Sequence, residues 1–320
     1  MRKEILGILL TNRCNANCAI CGLSCSPKLH DVIDESLMIN ILDQAKALGT
    51  FKRIGFTGGE AFLYPELLIK GSTYAKKLGF VSTVATNGFW GLWSDSKIDA
   101  VLSASKLDEV HFSFDAFHHE YISLDAMKNA VRACQRNKIP IVIVVSETRG
   151  KYSVNEFFKA IGDFKYLKEF KINSFCRVGR AENLPKEMFY SYDFPKKRCF
   201  DLEGMAIAAN GTVFPCCSPA VFDTCMNLGN IKEKSLSELL SKGNLINAYR
   251  LLCYVDTFEE LTEKALSKGI ISEEVKKLSP CEICHWIFKT ENNVLKLSSD
   301  IEKIFDRLLL DVFFKRIKST

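Results

Sequence analysis

Apolar and polar residues alternate in short runs that fit β-strands at Glu4–Leu10, Phe51–Thr57, Val81–Thr86, Asp108–Asp115, Ile139–Ser146 and Leu167–Ser174. Helix-length segments such as Ser36–Leu48 and Asp125–Asn137 separate them. Six such repeats predict a parallel α/β architecture with helices covering the sheet. The pattern leaves both an open doubly wound sheet and a partial barrel standing. After about Tyr190 the alternation stops. The stretch GMAIAANGTVFP predicts a hairpin, because Asn210-Gly211 suits a tight primed turn between two apolar runs. Helical segments are expected at Ser235–Val255 and Thr257–Leu278. A last amphipathic helix is expected from a cap at Ser299 or Asp300, with Ile301, Ile304, Phe305, Leu308 and Leu309 on one face.

Length and composition narrow the class. A chain of 320 residues has room for about two domains. Its 47% hydrophobic and 25% charged residues are ordinary for a soluble globular protein. The net charge of +5 is too mild to argue for nucleic acid. The longest apolar run, Ile139–Val145, is far short of the ~20 residues of a membrane span. No small-residue cleavage site follows the N-terminal apolar run, so a cytoplasmic protein is expected. There the 13 cysteines stay reduced, and clustered ones read as metal ligands or catalytic groups. The usual nucleotide loops, G-x-G-x-x-G after a strand and G-x-x-x-x-G-K-[ST], are missing.

Cys14-x3-Cys18-x2-Cys21 comes directly after the first strand. Three thiolates on a short loop can hold three irons of a cubane and leave the fourth iron open. A closed four-ligand site that adds Cys25 is the alternative. Thr57-Gly58-Gly59-Glu60 ends the second strand, Thr86-Asn87-Gly88 the third and Ser113-Phe114-Asp115 the fourth, where barrel-like folds place their chemistry. This combination resembles the radical S-adenosylmethionine (SAM) enzymes. The resemblance implies a partial (β/α)6 barrel with a [4Fe-4S] cluster on Cys14, Cys18 and Cys21, and SAM chelating the open iron. It implies that Gly58 and Gly59 let backbone groups approach the methionine moiety, with Glu60 accepting from its ammonium and Thr57 beside them. Ser113 and Asp115 suit the ribose hydroxyls, and Asn87, Ser146 and the backbone around Val178 are further SAM contacts. Ile20 stands where family members often carry an aromatic residue beside the adenine.

The second half holds Cys199, Cys216, Cys217, Cys225, Cys253, Cys281 and Cys284. Gly211-x4-Cys216 and Cys281-x2-Cys284 are similar to the shortened auxiliary-cluster (twitch or SPASM-like) domains of peptide-modifying radical SAM enzymes. That likeness implies a small α+β domain binding a second [4Fe-4S] cluster through Cys199, Cys216, Cys281 and Cys284. A structural zinc on the same thiolates is the alternative. The expected domains are a core barrel at 1–190, an auxiliary-cluster domain at 191–290 and a C-terminal helix at 291–320. Cys134 and Cys253 read as buried small hydrophobes, and Cys25, Cys176 and Cys225 stay unassigned. His118 and His119 read as solvated or locally hydrogen-bonded.

Cys217 adjoins a ligand and has no partner at ligand spacing; an alternative ligand or a buried side chain would also fit. PCCSPAVFDT, with NGFWG at Asn87–Gly91 and the CGLSCSP run, resembles the YydG-type radical SAM epimerases that install D-residues in ribosomally made epipeptides. The resemblance makes Cys217 the catalytic hydrogen-atom donor. It implies a ribosomally made precursor peptide as substrate and a reductase or flavodoxin-type electron donor as partner. No leader-binding domain is expected before the first strand. Two rival functions are a peptide-crosslinking radical SAM enzyme and a non-enzymatic zinc module.

Overall fold

A computed structural model describes residues 4–146, 166–173, 176–189, 198–199, 204–241, 248–249 and 251–317. Six parallel strands, β1 (Ile5–Thr11), β2 (Arg53–Gly58), β3 (Val81–Thr86), β4 (Glu109–Ser113), β5 (Ile141–Ser146) and β6 (Leu167–Asn173), lie side by side in chain order. Helices α1 (Glu35–Leu48), α2 (Pro65–Lys77), α3 (Asp95–Ser105), α4 (Ala116–His119) and α5 (Leu124–Arg136) lie between them. Consecutive order with right-handed crossovers keeps the helices on one side and leaves the other face concave. A doubly wound sheet would reverse its order part-way, so the partial barrel holds. It is not closed: among the described residues β6 pairs only with β5.

Period-two alternation sorts residues between the two faces. Leu6, Ile8, Leu10, Ile54, Phe56, Val84, Val110 and Phe112 are buried in one core cluster with Met38, Ile41, Leu68, Val101 and Ala130 of the helices. The opposite positions are small or polar: Gly7, Gly55, Thr57, Thr83, Ala85, Glu109 and His111 line a cavity of about 650 Å³. Small inward side chains therefore keep the barrel interior open. Its wall is charged, and Glu109 accepts from Arg53 (3.0 Å), from Lys168 and from the His111 ring (3.1 Å). Burial raises the Glu109 carboxyl, but these three neighbours outweigh it and hold its pKa at about 2.

The sheet continues past the barrel. Strand β7 (Gly204–Ile207) pairs parallel to β1, and β8 (Thr212–Phe214) and β9 (Gly229–Asn230) add antiparallel. The predicted hairpin is present, but its turn is not the expected primed one. Of the Asn210-Gly211 pair only Gly211 has positive φ, 93°, and the connection closes through Gly211 N–H to Ala208 O (2.8 Å) and Ala208 N–H to Thr212 O (2.9 Å). A type I′ turn needs positive φ at both central residues.

Helices α6 (Leu236–Ser241), α7 (Val255–Ser267), α8 (Glu273–Lys276), α9 (Pro280–Ile287) and α10 (Glu291–Ile317) follow. The segment expected as one helix over Thr257–Leu278 is broken where Gly269 turns the chain at φ 66°. The last helix starts at Glu291, ahead of the expected cap, and Leu309 of the proposed apolar face is exposed. A second core joins Phe258, Leu261, Ile283, Ile287, Phe288, Leu297 and Ile301 with Cys216, Cys253 and Cys284. The expected boundary at 190/191 lies outside the described residues. Among the described residues no helix is long and apolar enough to cross a membrane.

Candidate active site at two cysteine sets

The loop after β1 is tied down before its cysteines begin. Thr11 Oγ1 donates to Asp31 O (2.6 Å), Arg13 N–H donates to Thr11 Oγ1 (2.9 Å) and Cys14 N–H donates to Ser26 O (3.1 Å). The end of β2 docks on this stretch through Gly59 N–H to Thr11 O (2.7 Å) and Glu60 N–H to Arg13 O (2.9 Å). A Cβ on Gly58 would lie 2.2 Å from Thr11 O, and one on Gly59 2.0 Å from Arg13 O. Both positions lack side chains because backbone meets backbone there. Packing by itself therefore requires glycine at both positions.

Glu60 is 1% exposed and spans β2 to β3. Its carboxylate accepts from Phe62 N–H (3.0 Å), Thr86 Oγ1 (2.8 Å) and Asn87 N–H (2.8 Å). Burial pushes its pKa up to about 7 against the pull of those donors. A carboxylate has about four acceptor sites, so room for a further donor remains. Asn87 carries the network to the cysteines: its Nδ2 donates to Asn15 Oδ1 (2.9 Å) and lies 3.8 Å from Cys14 Sγ. Later residues of the NGFWG run serve packing: Trp90 donates to Thr86 Oγ1 (3.0 Å) and stacks on Phe62, while a Cβ on Gly91 would lie 1.8 Å from Ala126 O.

Asp115 is 2% exposed and caps α4. Its Oδ1 accepts from Phe117 N–H (3.0 Å), His118 N–H (3.1 Å) and the His118 ring (2.8 Å), while Oδ2 is buried with no partner among the described residues. Burial works against the Asp115 charge, but His118 and the backbone donors outweigh it and hold the carboxyl below its usual range. The adjacent His119 bonds Ile122 O (3.0 Å). Both histidines are thus locally bonded. Thr57, Ser113 and Ser146 stand at the ends of β2, β4 and β5; among the described residues they join neither network.

None of the 13 cysteines is in a disulfide. Cys18 and Cys25 are buried, and Cys14 and Cys21 partly so. Burial pushes the Cys14 thiol up to about 11 and Cys18 up to about 12. Cys21 goes the other way, to about 6, because Cys25 donates to its sulfur. Ile20 is buried beside Ala16, Cys18 and Phe117.

In the second set Cys284 has Cys281, Cys199 and Cys253 close enough to raise its thiol, after burial, well above the ordinary value. Cys216 lies in the same core. Cys176, unassigned from sequence, bonds the Cys281 sulfur, which together with burial pushes its thiol up. Cys253 is buried as expected, yet it sits beside the set. Cys225 donates to Phe288 O (3.0 Å). Cys217 is exposed where Cys216 is buried, and it lines the barrel cavity together with Thr57. The two sets approach each other at Gly22, where a Cβ would lie 2.6 Å from the Pro219 ring.

Residues 8–161 match the radical SAM superfamily, and residues 199–285 match the SPASM iron-sulfur cluster-binding domain. The chain carries a radical SAM domain followed by a SPASM domain. Their cofactors are SAM and [4Fe-4S] clusters. A Bacillus subtilis (strain 168) protein named for peptide biosynthesis, YydG, is 27% identical over 254 residues, 76% of this chain and 78% of its own. Native anSMEcpe with bound AdoMet shares the fold at TM-score 0.57 and 17% identity, over 95% of this chain and 100% of that one. Its complex with AdoMet and the Cp18Cys peptide gives TM-score 0.53 at the same identity and coverage.

The radical SAM residues fit these groups. The partnerless Asp115 Oδ2 suits a hydroxyl donor, and Glu60 keeps an acceptor site for an ammonium. Sequence reasoning missed Asn15 and Arg180, whose partners lie in distant segments; no spacing rule points to them.

Proposed function

We propose that this chain is a radical SAM peptide epimerase that converts L- to D-residues in a ribosomally made precursor peptide. The relative named for peptide biosynthesis supports a peptide substrate. The observation that carries the reading is the split at Cys216-Cys217: one side chain enters the second core, and the other opens into the barrel cavity beside Thr57. Cys14, Cys18 and Cys21 hold the SAM-binding cluster. Cys199, Cys216, Cys281 and Cys284 hold the auxiliary one, within domains at 1–190 and 191–290. Thr57, Gly58, Gly59, Glu60, Asn87, Ser113, Asp115 and Ser146 form the SAM side of the site.

When bound and given one electron by the reductase or flavodoxin-type donor, these cofactors would supply a 5′-deoxyadenosyl radical able to take a Cα hydrogen from the peptide. Return of hydrogen to the same face would restore the L-residue, so inversion needs a donor on the opposite face. Cys217 gives its S–H hydrogen there. The thiyl left behind takes up one electron and one proton, the electron from a reductase or flavodoxin-type donor. Such chemistry suits the reducing cytoplasm, where the thiols stay free.

Product analysis in deuterated water tests this. An inverted residue should gain one solvent deuteron at Cα with the peptide otherwise unchanged, and Cys217→Ala should still cleave SAM but lose inversion. Loss of hydrogens from the peptide would instead indicate crosslinking. Normal inversion by Cys217→Ala would remove Cys217 as donor.

A further inference from the structure

Arg180 lies beyond β6, yet its bonds go to the cysteine loop beyond β1. Its Nε donates to Cys18 O (3.0 Å), its Nη2 to Cys25 O (2.6 Å), and its backbone N–H to Cys21 O (3.1 Å). One residue thus holds three carbonyls that bracket the loop. The approach is possible because Gly179 precedes it at φ 59°, where a Cβ would lie 2.5 Å from Gly22 O and 2.8 Å from Cys21 O. The rigid guanidinium fork matches two separated carbonyls, and a lysine could not hold both in one geometry.

We infer that Arg180 is a positioning residue for the SAM-binding cluster: it clamps the ligand loop in shape and places a fixed positive charge beside the ligand sulfurs. The Arg180 guanidinium bonds the Cys18 and Cys25 carbonyls, so the charge sits against the loop that carries the ligand sulfurs. A reduced cluster carries one more negative charge than an oxidised one. A nearby cation therefore favours reduction.

The same segment reaches the second cysteine set through different residues. Arg177 N–H donates to Glu282 Oε1 (3.2 Å), and Lys289 Nζ donates to Glu182 Oε1 (3.1 Å). Glu282 lies on the helix carrying Cys281 and Cys284, and Glu182 also lies 3.4 Å from the His285 ring of that helix, which supplies an internal control. The inference rests on the iron-sulfur cofactor and is independent of which peptide reaction the enzyme performs.

The test uses anaerobically reconstituted full-length protein carrying Arg180→Gln, Arg180→Lys or Glu182→Gln. The signal of the reduced SAM-binding cluster is recognised by its change when SAM is added. Arg180→Gln should lower that cluster's midpoint potential and speed its loss of iron to a chelator by about tenfold, the usual scale for removing an outer-shell partner of a metal ligand. Arg180→Lys keeps the charge and loses the fork, so iron loss should speed up while the potential stays near wild type. Glu182→Gln should leave both readings unchanged. A natively folded Arg180→Gln with wild-type potential and iron loss overturns the inference. If that variant does not fold, wild-type iron loss in Arg180→Lys does the same.

Discussion

The two cysteine sets reach their geometry by opposite routes. Cys14, Cys18 and Cys21 lie on one loop pinned by its own backbone at Asp31 and Ser26 and braced by Gly59 and Glu60. Cys199, Cys216, Cys281 and Cys284 come from three separated stretches brought together at the second core, with Cys176 and Cys253 crowding the same place. A local set can be read from spacing; a set assembled by packing offers more candidate ligands than one cluster uses.

The largest expected difference is chemical. Cys18→Ala should abolish SAM cleavage to 5′-deoxyadenosine. Cys281→Ala should lose part of the iron and keep the cleavage, as measured by chromatography of 5′-deoxyadenosine. Equal loss in both variants would mean that the two sets act as one unit.

Glycines sharpen the comparison next. Gly59→Ala forces a methyl to within 2.0 Å of the Arg13 carbonyl, which cannot yield without moving the loop. It should cost about 3 kcal/mol in denaturant unfolding and impair iron loading at the first set. Gly211→Ala, in the hairpin before the second set, meets a positive φ of 93° and the Asn230 side chain. Here the cost should be about 1 kcal/mol, with iron loading at the first set unchanged.

The smallest effect is a pH slope. Burial raises the Glu60 pKa from 4.5 to about 7, so between those values the folded chain holds a proton that the unfolded chain has released. The stability this contributes is fully present below the lower value and is lost as pH rises through the upper one. Glu60→Gln should flatten that part of the pH profile of the thermal midpoint. A slope like that of wild type would mean that Glu60 is ionised throughout.

Much of the architecture was legible in the chain. The strands end within one or two residues of their expected limits because alternation and punctuation are local. The resemblance drawn from the first cysteine loop and Gly58-Gly59-Glu60 led to the domains that the comparisons bear out. Other features were out of reach. Nothing near Gly58 says that its neighbour is the Thr11 carbonyl, and the start of the last helix at Glu291 is set by packing of Leu297, Ile301 and Ile304 on the second core.

By itself the sequence determined the order of strands and helices and the ligand-rich loop at the end of the first strand. These depend on side-chain alternation and on spacings of a few residues. The tertiary structure alone decided that the sheet is singly wound, that β7 extends it along β1, and that Arg180 closes on the cysteine loop. It also decided that Cys217 faces the barrel cavity while Cys216 faces the second core. Such contacts join residues far apart in the chain, and only the packing of the whole sheet and both cores selects them.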